Sequence, residues 1–179
     1  MIIRDARESD AHALAAIYGH HVLNGLGTFE ETPPSAEQMR ERLETVRGYG
    51  LPYLVAEDHG EILGFAYAGP FRTRSAYRYT VEDSVYVRHD AVGRGVGRAL
   101  LSAILINCEA MGVRQVVAVI GDSENEASLA LHRSQGFLPA GLGKGFGYKH
   151  GRWVDIVWMR RPLNDGDASP PEVPGLNLG

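Results

Sequence analysis

Hydrophobic and polar positions change period along this chain, and each change predicts an element. From Thr80 to Val87 (T-V-E-D-S-V-Y-V) the period is two. Val81, Asp83, Val85 and Val87 share one face, and Glu82, Ser84 and Tyr86 the other, as in a β-strand. Beyond it the period becomes helical. Val96, Leu100, Leu101, Ile104, Leu105, Cys108 and Met111 recur on one apolar face. Between strand and helix stand Gly93, Gly95 and Gly97, interleaved with Arg94 and followed by Arg98.

The same pattern divides the rest of the chain. Ile2–Arg4 predicts a short strand, and Glu8–Leu23 a helix with Leu14, Ile17, Tyr18 and His21 turned inward and Asn24-Gly25 as its stop. Gly27–Pro34 carries no period. Ser35 opens a second helix through a Ser35–Gln38 capping box, and Met39, Leu43 and Val46 line its inner side up to Gly48. Tyr53–Glu57 and Ile62–Ala68 predict two strands of a hairpin about Asp58-His59-Gly60. Pro70–Tyr79 is a polar loop with aromatics. Val113–Ile120 is a continuous apolar run, the mark of a strand covered on both faces. A helix is predicted over Asn125–Ser134, a strand from Phe137, and a last strand over Arg152–Arg160 with Trp153, Asp155, Val157 and Met159 on one face. The order β-α-α-β-β-β-α-β-α-β-β predicts a mixed α/β (α+β) domain over residues 1–163. Residues 164–179, rich in Pro, Gly and Asp, read as an irregular tail that matters for assembly rather than chemistry.

Composition narrows the function classes. With 179 residues the chain makes one domain with a real core. A net charge of −4 argues against a nucleic-acid coat or a membrane-surface role. No run of 18 apolar residues appears and the first residues are no signal peptide, so a cytoplasmic protein is expected. The single cysteine, Cys108, sits on the apolar helix face and reads as a buried thiol rather than a nucleophile. The seven histidines have no metal-ligand spacing, His20 and His21 being adjacent, and no metal is expected.

The glycine turn has the composition of a phosphate cradle. Its glycines admit an anion close to the backbone, and the first free N–H groups of the helix point at it. The alternative is a plain strand-to-helix turn. Two phosphate ligands are excluded by spacing. G-x-G-x-x-G would need glycine at Arg98 or Leu100, and no Gly-Lys-Ser/Thr follows for a Walker loop. The pattern that remains, V-G-R-G-V-G over Val92–Gly97, resembles the acetyl-CoA loop of the GCN5-related N-acetyltransferases (GNAT), Gln/Arg-x-x-Gly-x-Gly/Ala, with Val92 at its first position. Asn125 and Leu131-His132-Arg133-Ser134-Gln135-Gly136-Phe137 are similar to that family's second motif, with His132 where a tyrosine is usual.

That resemblance, which spans residues 2 to 161, implies the GNAT fold: a mixed twisted sheet flanked by helices on both faces, with a bulged central strand splayed from the next one. It implies that acetyl-CoA is held by Gly93, Arg94, Gly95, Val96, Gly97 and Arg98. Backbone groups of Val85, Tyr86 and Val87 would pair with its pantetheine arm, and Asn125 and Ser134 would reach the arm from the other side. For Asn125 a helix cap is the alternative. The reaction moves an acetyl group from a thioester to an amine. For an alkyl amine of pKa ~10, neutrality at pH ~7.5 costs about 3.4 kcal/mol, so a base is needed. Glu82 is the candidate, directly or through water, with a solvated strand-face acid as the alternative. The Val87 N–H would stabilise the oxyanion, and His132 stands where the thiolate's proton donor is expected.

Arg72 and Arg74, two apart in the loop before Thr80, can point the same way, and each guanidinium can fork onto a carboxylate or phosphinate. The alternative is a solvated basic loop. More narrowly, T-V-E-D-S-V-Y-V, G-T-F-E-E at Gly27–Glu31 and G-R-W-V-D at Gly151–Asp155 are similar to segments of the phosphinothricin and methionine sulfoximine acetyltransferases. This implies N-acetylation of the α-amino group of a small amino-acid analogue, a detoxification activity, in a protein of a family whose members are commonly homodimers. Arg72, Thr73, Arg74, Tyr77, Phe29 and Glu30 would line the acceptor pocket together with Glu82, Asp83 and Ser84. Two alternatives stay open: a GNAT enzyme for another small amine or a protein N-terminus, and a non-catalytic acyl-CoA-binding domain, which would need no base.

Overall fold

A computed structural model describes residues 1–179. One seven-stranded sheet runs through the molecule in the order β1-β2-β3-β4-β5-β7-β6. Its strands are β1 (Ile2–Asp5), β2 (Tyr53–Asp58), β3 (Glu61–Pro70), β4 (Thr80–Val87), β5 (Gln115–Gly121), β6 (Leu138–Lys149) and β7 (Arg152–Pro162). All neighbours are antiparallel except β4 and β5. The β2–β3 hairpin turns at His59 and Gly60, both at positive φ (49° and 84°).

Four helices cover the sheet: α1 (Ala11–Asn24), α2 (Ala36–Gly48), α3 (Val96–Ala110) and α4 (Glu126–Ser134). The stretch Glu8–Asp10 predicted as the start of α1 is a separate 3-10 turn. Gly25 does end α1, in extended backbone (φ −123°) rather than a left-handed cap. The capping box of α2 closes in both directions, Gln38 N–H to Ser35 Oγ at 3.2 Å and Ser35 N–H to Gln38 Oε1 at 2.8 Å. The period-two pattern of β4 sorts the layers. Val85 and Val87 face the start of α3 across Gly97, and Asp83 faces α4 through His132. On the other face, Tyr86 meets Tyr18 of α1 edge-on, with ring centroids 4.7 Å apart. The apolar stripe of α3 is buried as predicted from Val96 to Cys108, and Met111 is half-buried.

The feature that matters for function is where β4 and β5 part. They pair from Thr80↔Gln115 to Asp83↔Ala118, and beyond Asp83 strand β4 has no partner in β5. The splay is present, but the expected bulge is not: β4 runs against β3 in unbroken register from Pro70↔Val81 to Gly64↔Val87. The opening arises because β5 is drawn elsewhere. Its end, Gly121, packs so tightly on the Leu26 carbonyl that an added Cβ would lie 2.2 Å from it, and Ile120 and Gly121 continue against β7. The register shifts of this sheet lie instead between β2 and β3 and between β6 and β7.

Two further expectations change. The face assigned to β7 is split, with Trp153 69% exposed and Met159 1%. Together with Leu142, Phe146 and Tyr148 of the edge strand β6, Trp153 leaves an apolar surface uncovered. The tail is irregular, as its composition predicts, but it docks on its own chain, and Leu176 belongs to the main hydrophobic core.

Candidate active site

The turn before α3 is built for close approach to its backbone. Gly93 and Gly95 both have φ +80°, and left-handed Gly95 is the N-cap that aims the first turn of α3 into the splay. Gly97 serves contact rather than conformation. A Cβ there would stand 3.3 Å from Leu131 and 3.4 Å from Val87, so its absence brings helix, strand and α4 together. Residues Ser84–Val87, the turn, Asn125, Leu131 and His132 line a cleft of about 510 Å³. It continues past Gly95 and Arg98 into an outer groove of about 870 Å³ bordered by Ser134 and Arg161. A narrow slot leading to free N–H groups at a helix start, with an arginine at the rim, fits an extended thiol arm carrying a pyrophosphate.

Individual residues of this side fall into place unevenly. Val96 and Arg98 border the cleft, and Val92 lies exposed at its edge. Arg94 does not face it: its guanidinium turns to Asp58 at 3.3 Å. Asn125 both lines the cleft and caps α4, accepting the Ser128 N–H at 3.2 Å. Ser134 is exposed and donates its Oγ–H to the Leu131 carbonyl at 2.7 Å.

Asp83 and His132 form the floor. Expected among the acceptor contacts, Asp83 faces away from that side. The His132 Nε2 donates to its Oδ2 at 3.0 Å, and Nδ1 donates to the Ser128 carbonyl at 2.7 Å. Their side chains are 5% and 1% exposed. Burial opposes the charge on His132, but the Asp83 carboxylate and the Ser128 carbonyl outweigh it and raise its pKa. With acceptors at both nitrogens the ring is held as imidazolium. Asp83 Oδ1 is buried with no partner. Removing either member of such a pair costs about 3–5 kcal/mol, because the other charge is left uncompensated. Burial and the Asp83 charge push the nearby Cys108 thiol up to about 12, which makes it inert as the sequence predicts.

Glu82, one residue earlier, points to the opposite face. It is half-buried, burial and the Asp83 charge raise its pKa, and Arg72 lowers it by less. Two separate loops belong to this side. Arg72, Thr73, Arg74 and Tyr77 are exposed. Arg72 lies over the Phe71 ring at 4.3 Å, and Tyr77 meets that ring edge-on at 5.8 Å. In the Gly27–Glu31 loop, Phe29 lies across Gly147 of β6, where a Cβ would come within 2.3 Å of its ring. Glu30 is engaged by its own fold: Arg42 grips it through two bonds of 2.9 and 3.0 Å, and Tyr18 donates to it at 2.9 Å. Burial would raise the Glu30 pKa, but the Arg42 and Tyr18 bonds prevail and hold it below the usual carboxylate range.

Sequence reasoning missed three residues that shape this region. Tyr18 was assigned only to the inner face of a helix, yet its hydroxyl also meets Thr28 at 2.8 Å. Lys149, 2% exposed, donates from Nζ to the Thr28 carbonyl at 2.8 Å and ties β6 to the same loop. His21 reaches the cleft, where its Nε2 donates to the Val87 carbonyl at 2.8 Å, and burial lowers its pKa. A polar residue inside an apolar helical period was the only signal for His21. Nothing in the local pattern marked Lys149.

Comparison with known proteins bears on the whole chain. Residues 3–158 match the model of an acetyltransferase (GNAT) domain. The chain is 53% identical to a phosphinothricin N-acetyltransferase of Alcaligenes faecalis over 170 residues, 95% of this chain and 86% of that protein. It is 40% identical to the L-methionine sulfoximine/L-methionine sulfone acetyltransferase of Pseudomonas aeruginosa, over 94% of this chain and 98% of that one. The crystal structure of a GNAT superfamily phosphinothricin acetyltransferase from Sinorhizobium meliloti in complex with AcCoA superimposes with a TM-score of 0.92 at 48% identity, covering 95% of this chain and 92% of that one.

Proposed function

This chain belongs to the GNAT acetyltransferase family and is an N-acetyltransferase, and from that premise we propose that it acetylates the α-amino group of a small acidic amino-acid analogue of the phosphinothricin or methionine sulfoximine kind, a detoxification reaction. Acetyl-CoA supplies the activated acetyl group. The Gly93–Arg98 turn would hold its pyrophosphate, and Ser84–Val87 and Asn125 its arm. The observation that carries the reading is the pair of adjacent carboxylates on β4, which face opposite ways in opposite states. Asp83 is locked to an imidazolium, and Glu82 is half-buried with a raised pKa beside Arg72.

Each residue then has a task. Glu82 takes the proton from the acceptor's ammonium group, directly or through one water, so that the amine can attack. A carboxylate whose pKa is raised is a stronger base than a solvated one. The Val87 N–H stabilises the negative charge that develops on the carbonyl oxygen. His132, whose two N–H groups are held by Asp83 and the Ser128 carbonyl, lends the positive charge of its ring to the cleft floor, where it would stabilise the departing thiolate, and Asp83 fixes the ring there. Arg72 and Arg74 receive the acceptor's acidic groups. A domain that only bound acyl-CoA would have no use for Glu82 in this state. The protein acts as a homodimer, with the uncovered apolar surface of β6 and β7 as the contact.

The test is a pair of acceptors. A charge-assisted contact contributes about 1.5–3 kcal/mol, so Arg72→Ala or Arg74→Ala should raise the Michaelis constant for methionine sulfoximine by roughly 10- to 150-fold. An uncharged amine of similar size should be affected far less, and the acetyl-CoA constant should hardly move. Equal losses for both acceptors would mean that the arginines serve the fold, and the acidic-acceptor reading would fall.

A further inference from the structure

The C-terminal segment is strapped across the root of the loop that carries Arg72 and Arg74. Arg114, at the entry to β5, donates from one guanidinium nitrogen to the Ser169 carbonyl at 2.7 Å, to Ser169 Oγ at 2.9 Å and to the Pro170 carbonyl at 2.8 Å. The Tyr79 hydroxyl donates to the Val173 carbonyl at 2.7 Å, and the Leu176 N–H donates to the Arg78 carbonyl at 2.8 Å. Packing follows the same line. Val173 fills the space over Gly112, where a Cβ would lie 2.4 Å from it, and Gly175 passes close over Tyr79 and Arg78 at φ +76°. Leu176 is 8% exposed in the core. Arg78 and Tyr79 are the two residues that join the arginine loop to β4.

On its outer side that loop has little to hold it. Arg72, Thr73, Arg74 and Tyr77 are exposed, and the Phe71–Tyr77 contact is internal to the loop. Its far anchor is the Phe71 N–H bond to the Thr80 carbonyl at 3.3 Å. The near anchor is therefore the joint at Arg78 and Tyr79, gripped by the tail on one side and by the entry to β5 on the other, where the Arg114 and Gln115 N–H groups donate to the Tyr79 carbonyl at 2.9 and 3.2 Å. We propose that the tail is a positioning brace for acceptor recognition: by fixing Arg78 and Tyr79 it holds Arg72 and Arg74 in the arrangement that binds the acceptor's acidic groups. The proposal rests on the acceptor reading of that loop. It also departs from the sequence expectation that the tail serves assembly alone. The cofactor turn and Glu82 lie outside its reach, the first at the start of α3 and the second on the paired part of β4.

The mechanism has a kinetic signature. A loop that visits its binding arrangement only a tenth of the time weakens apparent affinity about tenfold and leaves the bound complex unchanged. In the full-length chain, Leu176→Asp releases the tail by placing a charge in the core, and Tyr79→Phe removes a single bond of the brace. Leu176→Asp should raise the methionine sulfoximine Michaelis constant about tenfold, and Tyr79→Phe about two- to threefold, with the turnover number and the acetyl-CoA constant changed by less than about twofold. Combined with the double variant Arg72→Ala/Arg74→Ala, Leu176→Asp should add almost nothing, since both act through the same contacts. An unchanged acceptor constant, a parallel rise in the acetyl-CoA constant, or full additivity with that double variant would overturn the proposal. Should Leu176→Asp fail to fold, Tyr79→Phe decides by the same split. The underlying reading fails separately: its mark is an Arg72→Ala enzyme with an unaltered acceptor constant.

Discussion

The two faces of β4 are built by different means. The cofactor face is made chiefly of chain neighbours, with strand, glycine turn and helix following one another from Thr80 to Ala110, and is closed by Asn125, Leu131 and His132. The acceptor face is assembled from the Gly27–Glu31 loop, the Arg72–Tyr77 loop and one carboxylate, and it is held by distant ties: Arg42 to Glu30, Lys149 to Thr28, the tail to Tyr79. Glu82 and Asp83 show the difference at the scale of one peptide bond. Asp83 is buried in a charge pair that fixes His132. Glu82 is desolvated but carries no such partner, which raises its pKa. Neighbouring titratable groups whose environments diverge in this way are a mark of proton-transfer sites, which is the role proposed for Glu82.

The sharpest test of this contrast removes the proposed base. Glu82→Gln keeps the shape and should lower the turnover number by roughly 10²–10⁴ while acetyl-CoA affinity, read by calorimetry, stays put. A rate within a few fold of the parent would erase the distinction between the two carboxylates. Next in size, His132→Gln should slow turnover by about 10² and flatten the alkaline limb of the kcat profile, because the positive charge lost is the one whose pKa is raised. It should also change stability with a definite sign. The folded pKa of His132 lies above the unfolded value of about 6.5, so the pair's contribution is complete below that value and is lost as pH rises through the folded one. Chemical denaturation across that window should be less pH-dependent in the variant. The smallest effect links the faces. Arg72 lowers the Glu82 pKa, so Arg72→Ala should move the acidic limb of kcat/KM upward, and a limb that stayed or fell would separate Arg72 from Glu82.

What was legible in the sequence follows the same division. The glycine turn and the buried stripe of α3 are readable because their determinants are local, left-handed glycines and a helical period; the splay of β4 from β5 follows only from the family resemblance, since it depends on the distant contact of Gly121 with Leu26. The half-buried position of Glu82 is legible because a carboxylate stands out on a strand otherwise fit for burial. Asp83 belongs on the cofactor side, as the alternation that sets it opposite Glu82 requires, and not among the acceptor contacts. Arg94 was assigned to the cradle because nothing local announced Asp58, 36 residues earlier, as its partner. Lys149 and the tail contacts depend on which distant segments meet, and no period in the chain encodes that.

The unbroken register between β3 and β4 has a consequence for how such a protein can change. Point substitutions on β4 alter one side of the strand at a time. Insertion or deletion of a single residue between Thr80 and Glu82 would exchange the sides altogether, carrying the base into the cleft floor and the histidine's partner out to the acceptor. Both proton-handling groups would be lost in one event, with composition and hydrophobicity almost untouched. Variation in the length of this segment is thus far more restricted than variation in its residues.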